Sequence, residues 1–288
     1  MFVAEGRLAV AALLRSTYEV ASLLVDERRV AAAATLVADA EAAGAPVYVA
    51  APEVVAATVG FDLHRGIVAV GRRPPGIEPD GLLRAVTAAA AAGRRRAVVL
   101  VAEGLNDHEN LGGLFRNAAA FGVGGVLLDP SSADPLYRRC VRVSVGHVLG
   151  VPFARLAPWP GGLEAVRAAG FTLVALTPGR EGAPVVPLGR FAATAAAAPA
   201  VAVVVGAEGP GLSEAARAAA DVAVAVPMAP GVDSLNVATA AAVACYALEA
   251  AWTGAPAGAR SGDGSGARSG DTAGDAAGDG PGDGRGAG

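Results

Sequence analysis

Three short stretches of the chain carry polar side chains where the surrounding pattern is apolar. The first, Asn106-Asp-His-Glu-Asn-Leu-Gly-Gly-Leu-Phe-Arg-Asn-Ala-Ala-Ala-Phe-Gly122, follows an apolar run, with Asn110 at a strand-to-helix loop and Arg116 among small and apolar residues. The second, Val205-Gly-Ala-Glu-Gly-Pro-Gly-Leu-Ser213, joins turn glycines to Glu208. In the third, the apolar run 222–226 stops at a Pro-Gly loop, and Asp233, Ser234 and Asn236 then open an Ala-rich helix reaching about Trp252. The first N–H groups of a helix have no partner within it, and Ser, Asp or Asn at its mouth adds directed polar contacts. Glycine lets backbone approach a ligand closely. A strand joined to a capped helix shows the same local pattern, so one stretch alone decides nothing.

Several chemistries are excluded first. Gly206, Gly211 and Ser213 match the phosphate-cradling pattern G-x-x-x-x-G-K-[ST], but Leu212 stands where the lysine must be. No G-x-G-x-x-G follows the first strand, which disfavours a dinucleotide fold. The histidines His64, His108 and His147 lie at no ligand spacing, so no metal site is expected. Cys140 and Cys245 each sit in helix-like apolar segments and read as small buried residues. No long uncharged apolar run and no basic-then-apolar leader occurs, so no membrane contact is expected and a soluble, cytoplasmic protein is.

The net charge of −4 argues mildly against indiscriminate nucleic-acid binding, yet all 23 basic residues are Arg and several cluster: 72–73, 94–96, and 138, 139 and 142. Arg forks match phosphate oxygens and stack on bases, so a local RNA surface is compatible with an acidic total. Arg replacing Lys as a solvated cation is the plainer reading of any one cluster.

The elements that must position the three stretches alternate. Helix, strand, helix and strand signals recur from residue 7 to 73 and suggest a small α/β domain, 1–75. Arg72-Arg-Pro-Pro-Gly-Ile-Glu-Pro79 reads as the boundary, and 76–94 as linker and helix. Strands are expected at 98–101, 125–128, 172–176, 201–205 and 222–226 within a domain 95–253. Their unbroken apolar character points to a parallel sheet covered on both faces. From 254 to 288 the chain is Gly, Asp, Ala, Ser and Arg in near-repeats, a composition expected to form a disordered tail.

Taken in order, the stretches N-x-G…R-x-A-x-x-F-G, G-x-E-G-x-G-L-S and P-M-x-x-x-V-x-S-L-N-V resemble the three motifs of the SpoU (TrmH-like) family of RNA 2′-O-ribose methyltransferases, in the SPOUT class. The segment Phe61-Asp-Leu-His-Arg-Gly-Ile-Val-Ala69 looks like that family's L30e-like substrate-binding domain. Asp107-His-Glu replaces the family's usual Pro-containing turn. The chain starts where relatives usually carry a further segment, which suggests truncation there.

The resemblance implies a C-terminal parallel-sheet domain with a deep trefoil knot, S-adenosylmethionine as cofactor, RNA as partner and a homodimer built on the last helix. It implies cofactor contacts at Gly206, Val226 and Leu235, with Leu176, Thr177 and Met228 beside them. It makes Arg116 the catalytic arginine, with Asn110, Glu208, Ser234 and Asn236 around it. Arg65, Arg72 and Arg73 would meet RNA, ribosomal RNA before transfer RNA. Two other readings are a non-catalytic RNA-binding scaffold of the same fold and an unrelated nucleotide-binding α/β enzyme.

Overall fold

Apolar runs with no polar alternation fit only strands covered on both faces. A computed structural model of the chain describes residues 1–60, 66–93, 96–178, 184–195 and 200–253, and these runs form the centre of its larger sheet. The tail expected at 254–288, and Arg65 of the expected RNA surface, lie outside the described residues.

The chain begins with β1 (Phe2–Glu5), α1 (Arg7–Leu14), β2 (Val20–Asp26), α2 (Ala34–Ala42), β3 (Val47–Ala50), α3 (Pro52–Val59) and β4 (Ile67–Gly71). Their four strands form a sheet ordered β1-β4-β2-β3. Next come α4 (Pro79–Ala91), β5 (Ala97–Glu103), α5 (His108–Ala120), β6 (Gly125–Leu128), α6 (Arg138–Val143), β7 (Phe153–Arg155), α7 (Leu163–Ala168) and β8 (Thr172–Leu176). The last elements are β9 (Val186–Pro187), α8 (Leu188–Ala195), β10 (Ala200–Gly206), α9 (Glu214–Ala218), β11 (Val222–Ala225) and α10 (Val237–Thr253). The larger sheet runs β7-β6-β5-β10-β8-β11-β9, and every neighbouring pair is parallel.

Successive residues of a strand point to opposite faces, and β5 serves two cores accordingly. Val98, Leu100 and Ala102 join α5 and α10 through Leu111, Leu114, Phe115 and Ala241. Val99 and Val101 join Leu82 and Leu83 of α4 and Val166 of α7. The helix expected as part of a linker, 76–94, thus covers one face of the larger sheet: Cβ atoms at Gly124 and Gly125 would meet Val86 and Leu82 at 2.7 and 2.6 Å. The strands β7 and β9 escape the sequence pattern because two or three residues are too few to display a period.

The two sheets share one core, since Phe2, Ala4, Leu23 and Ile67 belong to the same apolar cluster as Leu100 and Leu111. Polar contacts reinforce this junction. Glu5, 6% exposed, accepts from Arg138 at 2.6 Å and lies 3.7 Å from Arg142, tying β1 to α6. Arg73 holds Asp134 with two bonds, 3.1 and 2.6 Å. Burial would raise the Asp134 carboxyl, but that fork and the Leu136 N–H outweigh it and hold it below its ordinary value. Gly146, at φ 81, packs under α1, where a Cβ would meet Ala12 at 2.5 Å. Among the described residues no helix is long and apolar enough to cross a membrane.

The Glu5 junction is asymmetric, because a stranded buried carboxylate costs more than a half-exposed arginine left to water. Arg138→Ala should therefore lower unfolding free energy by about 1–3 kcal/mol and Arg142→Ala by less than about 1 kcal/mol. Urea unfolding of both variants checks this, and equal losses would show that Glu5 does not depend on the shorter contact.

Candidate functional site

In a parallel sheet every strand delivers its following loop to the same edge, and ligand groups gather outside the carboxyl ends. The loops after β5, β10 and β11 meet there, and the side chain of Asn236 joins them. Its Oδ1 accepts from the N–H groups of Ala238 and Thr239, 3.0 and 3.2 Å, and so caps α10. Its Nδ2 donates to Asn110 Oδ1 at 2.6 Å and to Glu208 Oε1 at 2.8 Å. One amide thus uses both of its ends: three of the polar residues expected at the site converge on it.

Asn110 lies in the first turn of α5, not in the loop that the sequence suggests. The physical reason is Asp107, whose Oδ1 accepts from Glu109 and Asn110 N–H at 2.6 and 3.0 Å and starts the helix earlier. Helix α5 is packed on both sides through paired glycines. A Cβ at Gly112 would meet Val143 of α6 at 2.8 Å, and one at Gly113 would meet Ala238 of α10 at 3.0 Å. Asn117 donates to Ala238 O at 2.8 Å and fixes the same α5–α10 contact.

Two adjoining cavities open at this edge. One, of about 350 Å³, is lined by Gly206, Val226, Leu235, Leu176, Thr177 and Met228, the six residues expected at a cofactor, and also by Glu208, Ser234 and Asn236. The other, of about 550 Å³, is lined by Glu103, Asn106, Asp107, Asn110, Glu208 and Ser213, among others. Gly206 admits no side chain, because a Cβ there would lie 2.3 Å from the backbone carbon of Gly211.

Arg116 is exposed on α5 and lines neither cavity. Ser234 is exposed at the rim of the smaller one. Of the arginines expected at RNA, the two among the described residues have partners within the chain: Arg72 binds Glu19 at 2.6 Å and Arg73 binds Asp134. The cluster at 138, 139 and 142 is likewise paired, Arg138 and Arg142 with Glu5 and Arg139 with Glu109 at 2.5 Å. Most of these pairs are exposed and hold weakly against solvent.

Two carboxylates went unnoticed in the sequence. Glu103 ends β5 and accepts from Trp159 Nε1 at 2.6 Å and Ser213 N at 2.8 Å, while Ser213 Oγ caps α9. A polar residue closing an apolar strand was its available signal. Asp129, buried, accepts from the Ser131 hydroxyl, Ser132 Oγ at 2.5 Å and Gly104 N at 3.0 Å, and so holds the loop after β5. Burial would raise its carboxyl, but these hydroxyl and N–H donors outweigh it and hold it below its ordinary value. Cys140 and Cys245 are buried, and burial pushes both thiols up to about 12, so neither is a ready nucleophile.

The two ends of the Asn236 amide separate by substitution. Asn236→Ala removes the cap and should cost about 1 kcal/mol at any pH. Asn236→Asp keeps the cap acceptor but sets a carboxylate against Glu208. Like charges raise the folded-state pKa of such a pair, so stability present at low pH should be lost as pH rises through the carboxylate range, about 4–6. Thermal unfolding on either side of that range checks the difference, and a pH-independent loss for the Asp variant would show that Glu208 does not face this position.

Residues 97–246 match the family model described as SpoU rRNA methylase, and residues 3–75 match the model described as RNA 2′-O ribose methyltransferase substrate binding. An uncharacterized tRNA/rRNA methyltransferase from Mycobacterium bovis is 46% identical over 246 residues, 85% of this chain and 80% of that protein. Among solved structures, the SpoU methyltransferase AviRb from Streptomyces viridochromogenes, in complex with AdoMet, aligns with a TM-score of 0.68 at 24% identity over 88% of this chain and 91% of its own. An AdoMet-bound rRNA methyltransferase from Sinorhizobium meliloti aligns with a TM-score of 0.68 at 24% identity over 86% of each chain. These two structures share the fold, and the sequence matches carry the kinship: the chain belongs to the SpoU methylase family.

Proposed function

We propose that the protein transfers a methyl group from S-adenosylmethionine to a ribose 2′-hydroxyl of RNA, ribosomal RNA in the first place and transfer RNA otherwise, in the cytoplasm. One observation carries the reading. The six residues expected at the cofactor line a single cavity, and the Asn110–Asn236–Glu208 cluster stands where that cavity adjoins a second one. An RNA-binding scaffold has no need of such a constellation.

The smaller cavity suits the cofactor. It is walled by loop backbone and small or aliphatic residues, and Gly206 brings two strands of backbone together where any side chain would intrude. When bound, S-adenosylmethionine supplies an activated methyl group, so what remains for the protein is alignment and charge. Gly206, Val226, Leu235, Leu176, Thr177 and Met228 would hold the cofactor. Asn110, Glu208, Ser234 and Asn236 would orient the ribose, and the Arg116 guanidinium would stabilise the developing alkoxide as its proton passes to solvent water. Arg is protonated at any working pH, so electrostatic stabilisation is physically easier for it than proton abstraction. The exposure of Arg116 leaves its fork open to an RNA phosphate or to the cavity of a second copy.

A homodimer formed through α10 belongs to the proposal. In its support, Val243 and Tyr246 leave 36% and 45% of their surface exposed on that helix, Tyr246 packing edge-on against Phe121 at 6.2 Å. Residues 1–75, with Arg65, Arg72 and Arg73, are proposed as the RNA-recruiting part; the match of 3–75 to a substrate-binding model supports this. The knotted path through the loops after β10 and β11 is proposed with them.

Ribose-methylation mapping of ribosomal and transfer RNA from cells with and without the gene tests the activity, and an unchanged map would overturn it. Arg116→Ala should leave S-adenosylmethionine affinity within a few fold while methyl transfer falls at least ~100-fold. Lys at that position should not restore the rate fully, because a compact ammonium cannot copy the planar fork. Calorimetry and radiolabelled methyl transfer check both expectations, and near-parental transfer by a folded Ala variant would remove Arg116 from the mechanism.

A further inference from the structure

Tyr137 stands just before α6 with 53% of its surface exposed. Its ring lies against His108, with centroids 4.3 Å apart and planes tilted by 38°. His108 opens α5 directly after Asp107, which lines the larger cavity. The pair therefore sits beside the loop that forms one wall of the larger cavity, next to the Asn110–Asn236–Glu208 cluster proposed to orient the ribose.

Packing does not account for this tyrosine. The aromatic and aliphatic residues of the core are buried, whereas Tyr137 is an exposed large aromatic residue. An aromatic face held open by a neighbouring ring is preorganised for stacking, since a base can cover it without displacing a packed side chain.

The surroundings select the partner. Arg138, Arg139 and Arg142 follow on α6 with side chains 34%, 61% and 56% exposed, and Arg73 holds Asp134 three residues before the tyrosine. Arg139 is paired with Glu109 on the surface, and Arg142 reaches Glu5 only at 3.7 Å. The Arg139–Glu109 pair is exposed on both sides and such pairs are worth about 0–1 kcal/mol, so a phosphate can replace Glu109 at the Arg139 fork at little cost, whereas Arg138 and Arg142 stay with the buried Glu5. An exposed ring next to the exchangeable Arg139 fork fits an unpaired, stackable base on a phosphodiester backbone.

We propose that Tyr137, backed by His108, is a stacking platform for an unpaired RNA base next to the target nucleotide, with Arg139 meeting an adjoining phosphate. This rests on the methyltransferase reading above and specifies how that RNA is held: as a single strand, with its bases unstacked from one another at the site.

The test follows methyl transfer to total RNA from cells lacking the gene. For Tyr137→Ala the apparent KM for RNA should rise about 5- to 100-fold, the loss that follows removal of one base–aromatic stack. The value of kcat should stay within about threefold and S-adenosylmethionine affinity should not change. Tyr137→Phe and Tyr137→Trp should keep the parental KM, because the ring face and not the hydroxyl is used. The salt dependence of KM should be unaltered in Tyr137→Ala but flatter in Arg139→Ala, since stacking releases no counterions. A parental KM for Tyr137→Ala, or an equal loss for Tyr137→Phe, overturns the platform while leaving the methyltransferase reading intact. An unsubstituted enzyme that transfers no methyl group to this RNA overturns that reading, and the platform with it.

Discussion

The amide of Asn236 is the interaction on which the site depends. A carboxamide has an acceptor end and a donor end, and here the acceptor starts α10 while the donor gathers Asn110 from α5 and Glu208 from the loop after β10. Helix start and polar cluster are therefore set by one rotamer. A serine or aspartate would serve as well for the cap, but neither carries two N–H donors on the far side, so the choice of asparagine follows from what lies opposite it.

For that amide to reach, three loops must arrive within a few ångströms, and small residues make this possible. Gly113 lets α5 approach Ala238, Gly112 lets α6 approach α5, and Gly206 lets the loop after β10 fold back onto its own strand. Side chains at these places would separate the elements, not decorate them. Of the glycines that resemble family motifs, Gly112 and Gly206 are thus positions of close contact, whereas Gly122, Gly209 and Gly211 are free of such contact and hold a positive φ.

Much of this was legible in the sequence, for definite reasons. The runs at 98–101, 201–205 and 222–226 are apolar at every position, and the parallel sheet buried on both faces is what such runs can form. The polar residues 110, 208 and 236 stood out because nothing apolar around them explained their presence, and they do come together. What could not be read was pairing at a distance. Arg73 meets Asp134 across 61 positions and Arg138 meets Glu5 across 133, so clusters that resembled a free basic surface turned out to be partly spent on holding the two sheets together. Asp107 as a cap was hidden for a different reason: it stands where the family pattern has a Pro-containing turn, yet it is the residue that draws Asn110 into the helix.

The order of strands in the larger sheet also bears on how the chain is made. β10 lies at the centre, with Val201 beside Val98 of β5, yet it follows β5 by about a hundred residues. At roughly 5–20 residues per second a ribosome needs on the order of 5–20 s to supply the partner. Throughout that interval one long edge of an apolar strand is without its neighbour, and edges of this kind recruit other chains. Contacts so distant in sequence also slow the search for the native pairing once synthesis ends. The parallel order that brings the three loops to one edge therefore makes the nascent chain, more than the finished protein, the form exposed to aggregation and to the attention of chaperones.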